Sequence, residues 1–76
     1  MNNERRSILK GIYAELNTLR KKVEAVKDVE EDILARMSEK EQFSAKGDAY
    51  EDRIHSMLTA MEAMKDAMYE LEEAMA

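Results

Sequence analysis

His55 is the only histidine in the chain, with Glu51 four residues and Asp52 three residues before it. On a helix, a carboxylate and a histidine three apart share a face, and a carboxylate from a facing helix can complete a metal site. Glu30 or Glu31 is the candidate for that facing group. Against this reading, Asp52 and His55 fall beside the apolar positions Ile54 and Met57 and not among them. A solvated charged face is therefore the expectation, with no metal and no cofactor. Arg20, Lys21 and Lys22 form a basic cluster of the kind that contacts phosphate. Three residues are a small footprint, and pairing with acids across the fold, such as Asp66 and Glu70, is the preferred expectation. Glu62, Asp66, Glu70, Glu72 and Glu73 form an acidic row that either imitates a phosphate backbone or serves solubility. Of these, Glu62, Asp66, Glu70 and Glu73 are the candidate partner-binding residues. Ser7, Ser38, Ser44 and Ser56 share one histidine, and neither a glycine-rich phosphate loop nor a nucleophile elbow is present. No enzymatic activity is expected.

These residues are carried by two heptad seams. Tyr50, Ile54, Met57, Met61, Met64, Met68, Leu71 and Met75 are spaced alternately by 4 and 3, which commits a helix to a long partner. Leu9, Ile12, Leu16, Leu19, Val23, Val26, Glu30, Ile33 and Met37 repeat the pattern in the first half, with Glu30 the single charged member. Methionine also lines adaptable binding grooves, but heptad spacing favours a core. The expected fold is all-α, with residues 1–76 forming a single coiled-coil hairpin of two long antiparallel helices. The helices are placed at about 4–37 and 48–75, joined by a loop over 38–47.

In the loop, Ser38 with Glu41 reads as a capping box that would open a short helical turn, and Asp48 with Glu51 reads as a second box. Gly47 suits a left-handed closing position, and Phe43 would plug the end of the seam. One register pairs both seams throughout, with residue numbers summing to 87, and sets Glu30 opposite Met57 with Arg53 a turn away.

Seventy-six residues make a marginal core. No cysteine is present to brace it. Ala60, Ala63, Ala67 and Ala74 lie beside the second seam and offer a face for close helix approach. Self-association of two hairpins into a four-helix bundle is thus expected.

Net charge is −5, concentrated in residues 48–76, which hold eight acids against Arg53 and Lys65. That half would repel phosphate, so direct nucleic-acid binding is not expected. No apolar run approaches a membrane span and no signal peptide is visible, so a cytoplasmic location is expected.

The segments Asn3-Glu4-Arg5-Arg6, Val26-Lys27-Asp28-Val29-Glu30-Glu31, Ser38-Glu39 to Lys46-Gly47 and Leu71-Glu72-Glu73-Ala74 resemble a group of short acidic helical-hairpin proteins. Bacteriophages, prophages and mobile elements encode them. The resemblance implies a small accessory protein and transfers no catalytic residue. The leading expectation is a non-catalytic helical protein–protein interaction module that homodimerises and binds an unidentified protein. An alternative is an inhibitor of a host defence system, anti-CRISPR-like, meeting a nucleic-acid-binding complex through the acidic row. A third is a ferritin-like metal-binding helix pair.

Overall fold

A computed structural model describes residues 1–76 and is all-α, 89% helical with no strand. Helix α1 spans Asn3–Ala35, α2 spans Glu39–Gln42 and α3 spans Ala45–Met75. The molecule is a rod of 58 × 15 × 12 Å in which α1 and α3 lie side by side. At its open end the Nε of Arg6 donates to the Met75 carbonyl at 2.9 Å, which fixes the two helices as antiparallel. That contact also sets a cation at the negative end of α3. Asn2 caps α1 by accepting from the Arg5 amide at 2.9 Å, satisfying one of the unpaired donors of the first turn.

The corner differs from the expected loop. Ser38 accepts from the Glu41 amide at 3.2 Å and opens α2, as its spacing predicts. Gln42 then donates from its amide to the Leu34 and Met37 carbonyls at 3.2 and 3.1 Å, closing the end of α1. That end comes at Ala35, and α3 begins at Ala45, three residues before the expected start. Gly47 is therefore helical, and no residue of the chain has a positive φ. Its use is space: a Cβ at Gly47 would overlap the Gln42 carbonyl. The Asp48–Glu51 box does not cap, because Asp48 is already within α3 and its amide donates to the Ser44 carbonyl. Ser44 in turn spends its hydroxyl on the Glu41 carbonyl. Phe43 is 81% exposed and plugs nothing.

The seam of α3 is the expected one. Ile54, Met61 and Met68 are buried, while Tyr50, Met57, Met64, Leu71 and Met75 are partly covered. Helix α1 is rotated from expectation. Leu9, Leu16, Val23, Glu30 and Met37 face α3, but Ile12, Leu19, Val26 and Ile33 are exposed. Tyr13, Arg20, Lys27 and Leu34, one residue further on, take their places. The register shifts as well. Arg6 reaches Met75, Arg53 reaches Glu30 and Tyr13 reaches Glu72, so facing residue numbers sum to between 81 and 85, not 87. A sum near 84 sets Leu9 opposite Met75, Leu16 opposite Met68, Val23 opposite Met61 and Met37 opposite Gly47. Polar side chains make this rotation possible, because arginine and lysine cover a seam with their methylenes and carry their charges toward its rim, although the Nε of Arg20 is itself buried without a hydrogen bond.

Candidate functional site

Burial gives a charge the most leverage, and the seam holds several polar groups. Glu30 lies 3.5 Å from the guanidinium of Arg53, and its side chain is 22% exposed. Arg53 stacks over the Tyr50 ring at 4.3 Å, a cation–π contact that holds it toward the corner. One carboxylate oxygen of Glu30 is buried without a hydrogen bond. Lys27 bridges Asp28 at 3.0 Å and Glu31 at 3.2 Å, and hydrogen bonding to Asp28, then Glu31, raises its ammonium above the usual range. Tyr13 faces Glu72, and hydrogen bonding to that carboxylate, with help from burial, raises its phenol. Each of these contacts consumes a polar group that could otherwise recognise a ligand.

Asp52 and His55 are both exposed, and Asp52 borders a shallow depression with Val26, Glu30, Arg53, Ser56 and Met57. Glu30, the would-be facing ligand, is engaged by Arg53, and no group of three potential ligands converges anywhere in the chain. Arg20 does not cross to Asp66 or Glu70. It donates to Asn17 at 3.1 Å and approaches Glu24 at 4.0 Å, both on its own helix, while Lys21 and Lys22 stay exposed. Glu62, Asp66, Glu70 and Glu73 are all exposed on the outer side of α3. Among them only Glu62 has a cation within 4 Å, Lys65 at 3.9 Å. Ala60 is partly covered, and Ala63, Ala67 and Ala74 are exposed.

Comparison with protein-family models, curated proteins and solved structures gives no match.

The functional surface that sequence reasoning missed is on α1. Ile8, Ile12, Leu19, Val26, Val29 and Ile33 are exposed, from 39% at Ile33 to 60% at Val29. Val26 shares its depression with Met57. At about 100° per residue, Ala60, Met64 and Ala67 follow Met57 down that same flank of α3. One long side of the hairpin is thus an apolar strip made by both helices. The opposite side carries Tyr13, Asn17, Arg20, Lys65, Tyr69 and Glu72. The signal is in the sequence: with Glu15 and Lys22 counted, Ile8, Ile12, Leu19, Val26, Val29 and Ile33 form a row of their own spaced by 4 and 3.

Proposed function

We propose that this chain is a non-catalytic helical protein–protein interaction module that homodimerises as a four-helix bundle of two hairpins. One observation carries the reading: six branched aliphatic side chains lie on the outside of a hairpin whose buried core is Ile54, Met61 and Met68. Scattered exposed aliphatics are ordinary, but six aligned in one row along a rod, broken only by Glu15 and Lys22, mark an interaction surface. Light scattering at micromolar concentration should report at least twice the 8.8 kDa chain mass. A monomer that stays fully helical at such concentrations overturns the reading.

A second reading concerns the outer side of α3, where Asp66, Glu70 and Glu73 form no ion pair within 4 Å. That row suits a basic protein surface, and the resemblance to phage-encoded hairpin proteins supports a role in blocking a nucleic-acid-binding defence complex in the cytoplasm. No helix is long and apolar enough to cross a membrane. In this reading the chain displaces labelled duplex DNA from a purified CRISPR effector complex. Reversal of Glu62, Asp66 and Glu70 to lysine abolishes the displacement and added salt weakens it. Displacement that survives both changes would overturn the acidic-row reading.

A further inference from the structure

The exposed strip has a length, a charge pattern and a register of its own. From Ile8 to Ile33 its positions on α1 alternate by 4 and 3, with aliphatic residues at six of eight and Glu15 and Lys22 at the other two. All eight are exposed. This is a second coiled-coil seam, about a quarter turn around α1 from the one that faces α3. It is also the more aliphatic of the two, because the inner seam contains Arg20, Lys27 and Glu30.

Resting on the self-association proposed above, we infer its geometry: a second copy of this chain covers the strip, with the two α1 helices antiparallel about a two-fold axis passing between Arg20 and Lys21. In an antiparallel pair, first-heptad positions face fourth-heptad positions. The register that overlaps the whole strip sets Ile8 opposite Ile33 of the second copy and Ile12 opposite Val29 of the second copy. It also sets Glu15 opposite Val26 of the second copy and Leu19 opposite Lys22 of the second copy. Glu15 is thereby about one turn from Lys22 of the second copy, and the symmetry repeats that pair of opposite charges. A shallow depression bordered by Ala14, Glu15, Thr18, Leu19 and Lys22 lies beside the axis, where the second Leu19 row arrives.

Helix α3 points to the same axis independently. A hairpin register near 84 carries the axis across to between Ala63 and Met64. Ala60 then stands opposite Ala67 of the second copy, where small side chains let two helices approach closely. Of the acids of α3, Glu62, Asp66 and Glu73 project away from the Ala60–Ala67 line, and Glu70 lies at its edge, three residues beyond Ala67. The chain exposes 5593 Å², more than the roughly 4,800 Å² of a globular chain of this mass, as its length of 58 Å requires.

Because the chain has no cysteine, a designed pair gives an unambiguous test. In the full chain, Ile12→Cys together with Val29→Cys sets two thiols about 25 Å apart on one helix, too far to join within a chain. Mild oxidation should convert this variant almost wholly to a covalent dimer on a denaturing gel, while each single variant stays monomeric there. A covalent dimer from Ile12→Cys alone means parallel α1 helices and overturns the geometry. A native mass of two chains with no cross-link in the double variant overturns the face and register but leaves self-association standing, whereas a native monomer removes both. Charge gives a second arm. Glu15→Lys should weaken the dimer about tenfold, and adding Lys22→Glu should restore it. No response to Glu15→Lys also overturns the register.

Discussion

Helices α1 and α3 are nearly equal in length, 33 and 31 residues, yet they contribute unequally to the interior. Every buried residue belongs to α3 and none to α1. The reason lies in how many apolar stripes each helix carries. Helix α3 has one stripe of large side chains, flanked by alanines on one side and acids on the other, so one rotation suits it. Helix α1 carries its aliphatics in two adjacent rows, Leu9, Leu16 and Val23 toward α3, and Ile8, Ile12, Leu19, Val26, Val29 and Ile33 outside. Hydrophobicity alone leaves its rotation open, and polar anchors choose: Glu30 meets Arg53, Tyr13 meets Glu72 and Arg6 meets Met75. The hairpin thus spends its polar contacts inside and leaves aliphatic surface outside.

The sharpest way to break this contrast is to truncate one residue on each helix. Met61→Ala removes a buried side chain from α3 and should cost about 2–3 kcal/mol in a urea melt. Val26→Ala, on the exposed row of α1, should cost less than about 0.5 kcal/mol in dilute solution and more as concentration rises, because only assembly covers it. Equal losses at every concentration would return Val26 to the interior and with it the register summing to 87.

A smaller effect is expected at Glu30. Its pair with half-exposed Arg53 contributes at most about 1 kcal/mol, and a leucine burial is worth about 1.5–3 kcal/mol. Glu30→Leu should therefore stabilise the protein by roughly 1 kcal/mol with helix content unchanged by circular dichroism. Destabilisation would instead identify the Glu30–Arg53 pair as what fixes the rotation of α1, and Arg53→Met should then lose a similar amount.

The smallest effect is alkaline. The Lys27 ammonium and the Tyr13 phenol are both raised above their ordinary values of 10.5 and 10.0. Each stabilises the fold fully below its unfolded value and loses that contribution as pH climbs through the folded one. Melts between about pH 8 and 12 should show stability falling beyond about pH 10, with a shallower fall in Lys27→Met. An identical fall in that variant would assign the loss to other groups.

Much of this architecture is legible in the residues. The 4-and-3 spacing from Tyr50 to Met75 gives α3 its inner face, and Ser38 with Glu41 marks the short α2. The rotation of α1 is not legible, because apolar counting credits Ile12, Leu19 and Val26 while ignoring the methylenes of Arg20 and Lys27 that do the covering. The role of Gly47 escapes for another reason. Glycine serves left-handed turns and close backbone approaches equally well, and its neighbours in sequence do not say which. The exposed row of α1 is hidden by its own quality, since a good seam invites the conclusion that it faces the nearest partner.

The corner bears on how the molecule folds. Gln42, Gly47 and the end of α1 touch across only a few residues of chain, so these contacts form at little cost in loop closure. From there the helices can zip outward one layer at a time, each new pair only slightly further apart along the chain than the last. Such a topology has low contact order and folds fast. In that order the last layer to close would be Arg6 against Met75. Strain or crowding at the corner, as from a methyl group on residue 47, would therefore act on the speed of folding as much as on the stability of the finished hairpin.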